Sequence, residues 1–106
     1  MLDRIAELPQ GDRELAEGLH ALVTAAAPDL APRTWYGMPA YAQDGKVLAF
    51  VQPGSRLGTR YTTVGFNDAA RLDDGDLWPT AYAVQALTTA TRAALTDLVR
   101  RAVAGR

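Results

Sequence analysis

The chain has no cysteine, which rules out disulfides, thiolate metal sites and thiol nucleophiles together, and fits a reducing compartment. It has one histidine, His20, and one serine, Ser55. A transition-metal site built on several imidazoles is therefore ruled out, and a Ser–His nucleophilic pair has a single candidate. Neither sign of charge dominates: 11 Lys and Arg stand against 12 Asp and Glu, for a net charge of −1. A nucleic-acid-binding face needs a surplus of cations to neutralise phosphates. The nearest thing to a basic run is Arg100, Arg101 and Arg106, where positive charge complements a helix C-terminus. No apolar run approaches the ~20 residues of a membrane span, and the opening Met1-Leu2-Asp3-Arg4 lacks the basic-then-apolar plan of a signal peptide. These absences predict a soluble cytoplasmic protein with neither a nucleic-acid nor a membrane partner.

What is present is the composition of an ordinary globular domain. The 106 residues, 48% hydrophobic and 22% charged, make one domain spanning 1–106. A first helix is expected after Gly11, with Asp12 as N-cap and Glu14 in its first turn. Leu15, Leu19, Leu22 and Val23 then form one apolar stripe, and Pro28 stops the helix. Upstream, Leu2, Ile5 and Leu8 fit a short helical turn ended by Pro9. Residues 33–36 read as a strand broken by Gly37 and Pro39, with Met38-Pro39 fixing a turn open to a cis peptide. Residues 41–43 lead into Asp44-Gly45, a strong hairpin signal because both turn positions need positive φ. Residues 46–52 are apolar on both faces, as in a central strand. After a connection at 53–58, residues 60–67 alternate, with Thr62, Val64 and Phe66 on one face and Tyr61 and Thr63 on the other. A polar loop at 68–76 and Trp78-Pro79 precede a last strand at 82–87. A closing helix begins with Thr88 or Thr89 as N-cap, shows Leu95, Leu98, Val99, Ala102 and Val103 on one face, and ends at Gly105. The pattern predicts an α+β fold in which an antiparallel sheet of about five strands packs against N- and C-terminal helices.

The run from Thr34 to Val47, TWYGMPAYA followed by DGKV, resembles the YdhG-like family, also called domain of unknown function 1801, whose members carry a YGMP-A-aromatic motif after a first helix. A subgroup is similar also in GFNDAA (65–70) and in the LDDG and WPT segments (72–80). The likeness runs from the first helix to the last. It implies an α+β fold. One branch of that family is described as a frataxin-like intracellular iron chaperone, so iron handling is the only biochemical label the resemblance carries.

Each candidate site has a plainer structural alternative. Iron carriers bind through carboxylates, because hard cations want oxygen ligands. The densest acidic set, Asp68, Asp73, Asp74 and Asp76, is the metal candidate, with Asp73, Asp74 and Asp76 as its ligands; a solvated turn is the alternative. His20 is expected to be structural, and pairing Ser55 with it as a nucleophile is arbitrary. The run Gly54-Ser55-Arg56-Leu57-Gly58-Thr59-Arg60 lacks the lysine and spacing of a phosphate loop, yet Arg56 and Arg60 suit an anion beside backbone amides; a plain hairpin connection is the alternative. Finally Trp35, Tyr36, Tyr41, Arg60, Tyr61, Asn67 and Trp78, with Tyr82, lie at strand ends and neighbouring loops. Gathered over the open face of the sheet, they would form an apolar-walled pocket with polar handles; otherwise they are core and turn plugs. The expectation is a non-enzymatic domain binding a small molecule or a partner protein without a cofactor, with iron carriage as the alternative. An exposed sheet edge leaves homodimerisation open.

Overall fold

A computed structural model describes residues 5–104, apart from the Leu57 side chain. Five strands, β1 (Ala31–Trp35), β2 (Met38–Gln43), β3 (Lys46–Gln52), β4 (Thr62–Phe66) and β5 (Ala81–Val84), form one antiparallel sheet in sequential order. Helix α1 (Gln10–Ala26) precedes it, the single turn α2 (Gly54–Leu57) lies between β3 and β4, and α3 (Thr89–Ala104) closes the chain. The predicted α+β architecture is the observed one. Leu2 and Gly105, placed by the sequence in a first helical turn and at the last C-cap, lie outside the described residues.

Helix α1 starts earlier than expected. Pro9 is extended (φ −53°, ψ 152°) and caps the helix without any side-chain hydrogen bond, and the Arg13 N–H donates to its carbonyl at 2.8 Å. Asp12 is not the N-cap: it stands in the first turn, and its carboxylate accepts the Ser55 N–H at 3.0 Å. A long-range partner has taken the side chain that the local capping rule claimed. The predicted stripe holds, with Leu19, Leu22 and Val23 buried. At α3 the Thr88 hydroxyl accepts the Thr91 N–H at 3.2 Å, the capping bond expected of Thr88.

Two tight hairpins build the first three strands. At Asp44-Gly45 both residues have positive φ (53° and 79°), as predicted. The second hairpin is at Tyr36-Gly37 (φ 50° and 77°), where the sequence reading placed a strand end and a break. Met38 and Pro39 belong to β2 rather than to a turn, and no described peptide bond is cis. Pro39 is tolerated because pairing with β3 begins one residue later, at Ala40↔Phe50. Pro32 sits on β1, an edge strand of the sheet, where a missing N–H also blunts pairing with another chain.

The register shifts between β2 and β3: Tyr41 pairs with Ala49 but Ala42 pairs with Val47, so Leu48 is the extra residue of a β-bulge. Leu48 is fully buried. Tyr41, Val51, Val64, Phe66 and Val84 join Leu19 and Leu22 of α1 and Leu95, Val99 and Ala102 of α3 in one core. Trp35, Ala40 and Phe50 lie outside that core. Ala40, Phe50 and Gly65 are aligned across three strands, and a Cβ on Gly65 would meet the Phe50 ring. The bare backbone of Gly65 is what lets that ring lie against the sheet.

Candidate functional site

The aromatic residues singled out in the sequence do not gather on one open face. Tyr41 is in the helix-covered core, and its hydroxyl meets Nδ1 of His20 at 2.9 Å. Tyr82 packs against the same core, edge-on to Phe66. Trp35 and Tyr36 form a separate group at the first hairpin, with ring centroids 4.9 Å apart and Phe50 5.3 Å from Trp35. Tyr36 is 76% exposed. Arg60 and Tyr61 stand at the start of β4, the guanidinium 5.8 Å from the ring centroid. Of the set, Asn67 and Trp78 share a cavity with Asp68 and Asp73 of the acidic loop. Successive strand residues face opposite sides of a sheet, so Trp35 and Tyr41 part although both belong to aromatic-rich runs.

Burial favours the neutral form of both partners in the His20–Tyr41 contact. Burial lowers the His20 pKa below its ordinary 6.5, and burial pushes the Tyr41 phenol above its ordinary value. Neutral imidazole and neutral phenol share one hydrogen bond. The unfolded chain binds a proton at His20 more tightly than the folded one, so stability rises with pH. The contribution is complete above about pH 6.5 and is lost as pH falls from there through the folded value. Urea midpoints at about pH 5 and about pH 7.5 are expected to differ less in His20→Gln than in the parent; an unchanged difference would assign the acid sensitivity to other groups.

The connection between β4 and β5 is long, spanning 67–80, and loops of this length commonly carry function. It is pinned from both ends. The Asn67 N–H donates to Leu48 O at 2.9 Å and its Nδ2 to Val47 O at 3.3 Å, a double attachment to β3. The Phe66 N–H reaches Thr80 O at 2.7 Å, closing the loop at its neck. The Arg71 N–H donates to Ala102 O at 3.0 Å, satisfying a carbonyl that the last turn of α3 leaves without an intrahelical partner. Ala70 and Leu72 are buried in the core. The loop thus encloses a cavity of about 300 Å³ lined by Phe66, Asn67, Arg71, Asp73, Trp78 and Thr80, among others. Trp78 is half-buried against the core and supplies an apolar wall. The Arg71 guanidinium makes no ion pair with any described residue. Arg71, Phe66 and Thr80 escaped the sequence reading; the one arginine amid four aspartates was the available signal.

The metal expectation fares differently from the cavity. Asp68, Asp73, Asp74 and Asp76 are exposed, and among the described residues no three carboxylate or imidazole groups come together in a way that would hold a metal ion. A turn at Gly75 and Asp76 interrupts the run, with Gly75 supplying its positive φ, and Asp73, Asp74 and Asp76 do not form the ligand set the sequence suggested. Among the described residues no helix is long and apolar enough to cross a membrane. No family model matches the chain, and no curated protein or solved structure matches it either.

Proposed function

We propose that this chain is a small-molecule-binding domain rather than an enzyme, and that its ligand occupies the cavity under the 67–80 connection. One observation carries the reading: Asn67, Arg71, Asp73 and Trp78 line a single cavity of about 300 Å³ whose backbone is tied to β3, β4 and α3. That volume is at the lower end for ligand sites, and an aromatic wall with a few polar groups is their usual make-up. Arg71, without an ion-pair partner among the described residues, suits a carboxylate or carbonyl oxygen of the ligand, and Asp73 suits an amine or N–H. A flat apolar portion would stack on Trp78. Tethering the loop before the ligand arrives limits the ordering cost of binding.

The test is native mass spectrometry of untagged protein purified without a metal-affinity column. An organic adduct that is retained by the parent and lost in both Trp78→Ala and Arg71→Gln is the expected result. The two substitutions complement each other, because Trp78 also packs against the core while Arg71 is exposed. An adduct of iron mass, lost when Asp73, Asp74 and Asp76 become Asn, would replace this reading with the carrier one. An adduct indifferent to both cavity substitutions would place the ligand elsewhere.

A further inference from the structure

We propose that a second cavity, between the N-terminus of α1 and the start of β4, binds a small oxyanion, the phosphate or carboxylate group of a ligand. It has a volume of about 240 Å³, and its walls include Gly11, Asp12, Arg60, Tyr61, Thr62 and Gln85. None of its lining residues belongs to the cavity under the 67–80 connection.

The first observation is the helix end. Seventeen-residue α1 has no side-chain cap, and its first residue to donate to a preceding carbonyl is Arg13, to Pro9. The N–H groups of Gln10, Gly11 and Asp12 are therefore left over from the intrahelical ladder, at the end where the helix dipole concentrates positive potential. Gly11 has nothing within 4 Å of where a Cβ would be, so the cavity reaches the backbone itself.

The second observation is independent. Thr62 is the one buried polar residue among those described, with 3% of its surface exposed. Its hydroxyl makes no hydrogen bond to any described residue. Among the described residues no fully enclosed polar side-chain atom is left unsatisfied, so the hydroxyl retains a small accessible surface, and Thr62 is a wall of this cavity. A buried, unpartnered hydroxyl at a cavity wall is a group held ready for a ligand. Arg60, stacked over Tyr61, adds a cation with no described carboxylate in ion-pair range.

One group opposes an anion: Asp12 also lines the cavity. Its Oδ2 is engaged by the Ser55 N–H at 3.0 Å, which commits that carboxylate to α2. The remaining polar groups weigh toward donors. Gln85 Nε2 has only a long contact to Arg60 O at 3.5 Å, whereas the Thr59 hydroxyl is already spent on Tyr61 O at 2.8 Å.

The experiment is titration of the full chain with inorganic phosphate and, separately, acetate at constant ionic strength, followed by amide NMR shifts. Saturable shifts are expected at Gly11, Asp12 and Thr62. Arg60→Gln is expected to weaken binding about tenfold, and Thr62→Val about three- to tenfold. Thr62→Val has a second readout, because losing an unpartnered hydroxyl does not lower the melting temperature of the ligand-free protein; a clear fall would mean that the hydroxyl is satisfied within the fold and would overturn the argument. Preference for phosphate over acetate identifies a phosphorylated ligand, and the reverse a carboxylic acid. Shifts that never saturate, or saturable binding untouched by either substitution, would refute the site.

Discussion

Truncating Leu48 to alanine is expected to lower the thermal midpoint by on the order of 10–30 °C, the equivalent of about 2–5 kcal/mol for a large-to-small change in a packed core. Leu48 has no exposed surface, and it is the extra residue in the bulge that lets Ala42 pair with Val47 while Tyr41 pairs with Ala49. Without Leu48 the bulge encloses an empty volume at the centre of the sheet, between the α1 and α3 side chains that complete the same cluster. A rigid ladder on both sides limits collapse into that space, which favours the upper part of the range. Leu77 supplies the control. It is 89% exposed, and Leu77→Ala is expected to change stability by no more than about 0.5 kcal/mol. Equal effects of the two truncations in urea or thermal unfolding would refute the placement of Leu48 in the core.

The same bulge shows where sequence reading stops. Alternation assigned Thr62, Val64 and Phe66 to one face correctly, since β4 is regular and pairs with β3 without a slip. In β2 and β3 the aromatic and apolar residues are dense on both faces, and one inserted residue moves every later side chain across the sheet. Tyr41 precedes that insertion, and simple alternation along β2 turns it away from Trp35 and against His20. The Tyr36-Gly37 hairpin was hidden for another reason. Its turn obeys the positive-φ rule that revealed Asp44-Gly45, but tyrosine rarely adopts that conformation. The helical stripes and the Thr88 cap were legible because the contacts behind them recur every three or four residues. The Asp12–Ser55 bond spans 43 residues, and no local rule carries information over that distance. Of the cavity under the 67–80 connection, Asn67, Trp78 and Asp73 were each noticed, though as members of two different sites.

Two glycine-to-alanine substitutions are expected to act in opposite directions, and the contrast tests how α2 is seated. At Gly54 a Cβ would lie 2.6 Å from Tyr61 O and 2.9 Å from Thr59 O. Both obstacles are backbone, so neither can swing aside as a side chain does. Gly54 O also accepts the Thr59 N–H at 2.9 Å, which draws the two segments together at that point. Gly54→Ala must therefore push α2 away from the start of β4, at a cost of about 1–3 kcal/mol or more. The shift carries Ser55 with it and strains its bond to Asp12, so the start of α1 loosens and the cavity shared by Gly11, Gly54 and Arg60 opens. Stability and phosphate affinity are expected to fall together in this variant. Gly11→Ala, by contrast, meets no atom within 4 Å and sits in the first turn of α1 without a positive φ. It is expected to raise stability by about 0.5–1 kcal/mol, because alanine restricts the unfolded chain and favours the helix. If Gly54→Ala proves as benign as Gly11→Ala, α2 is not wedged against β4, and the tether from Ser55 to Asp12 does not hold the two halves of that cavity in place.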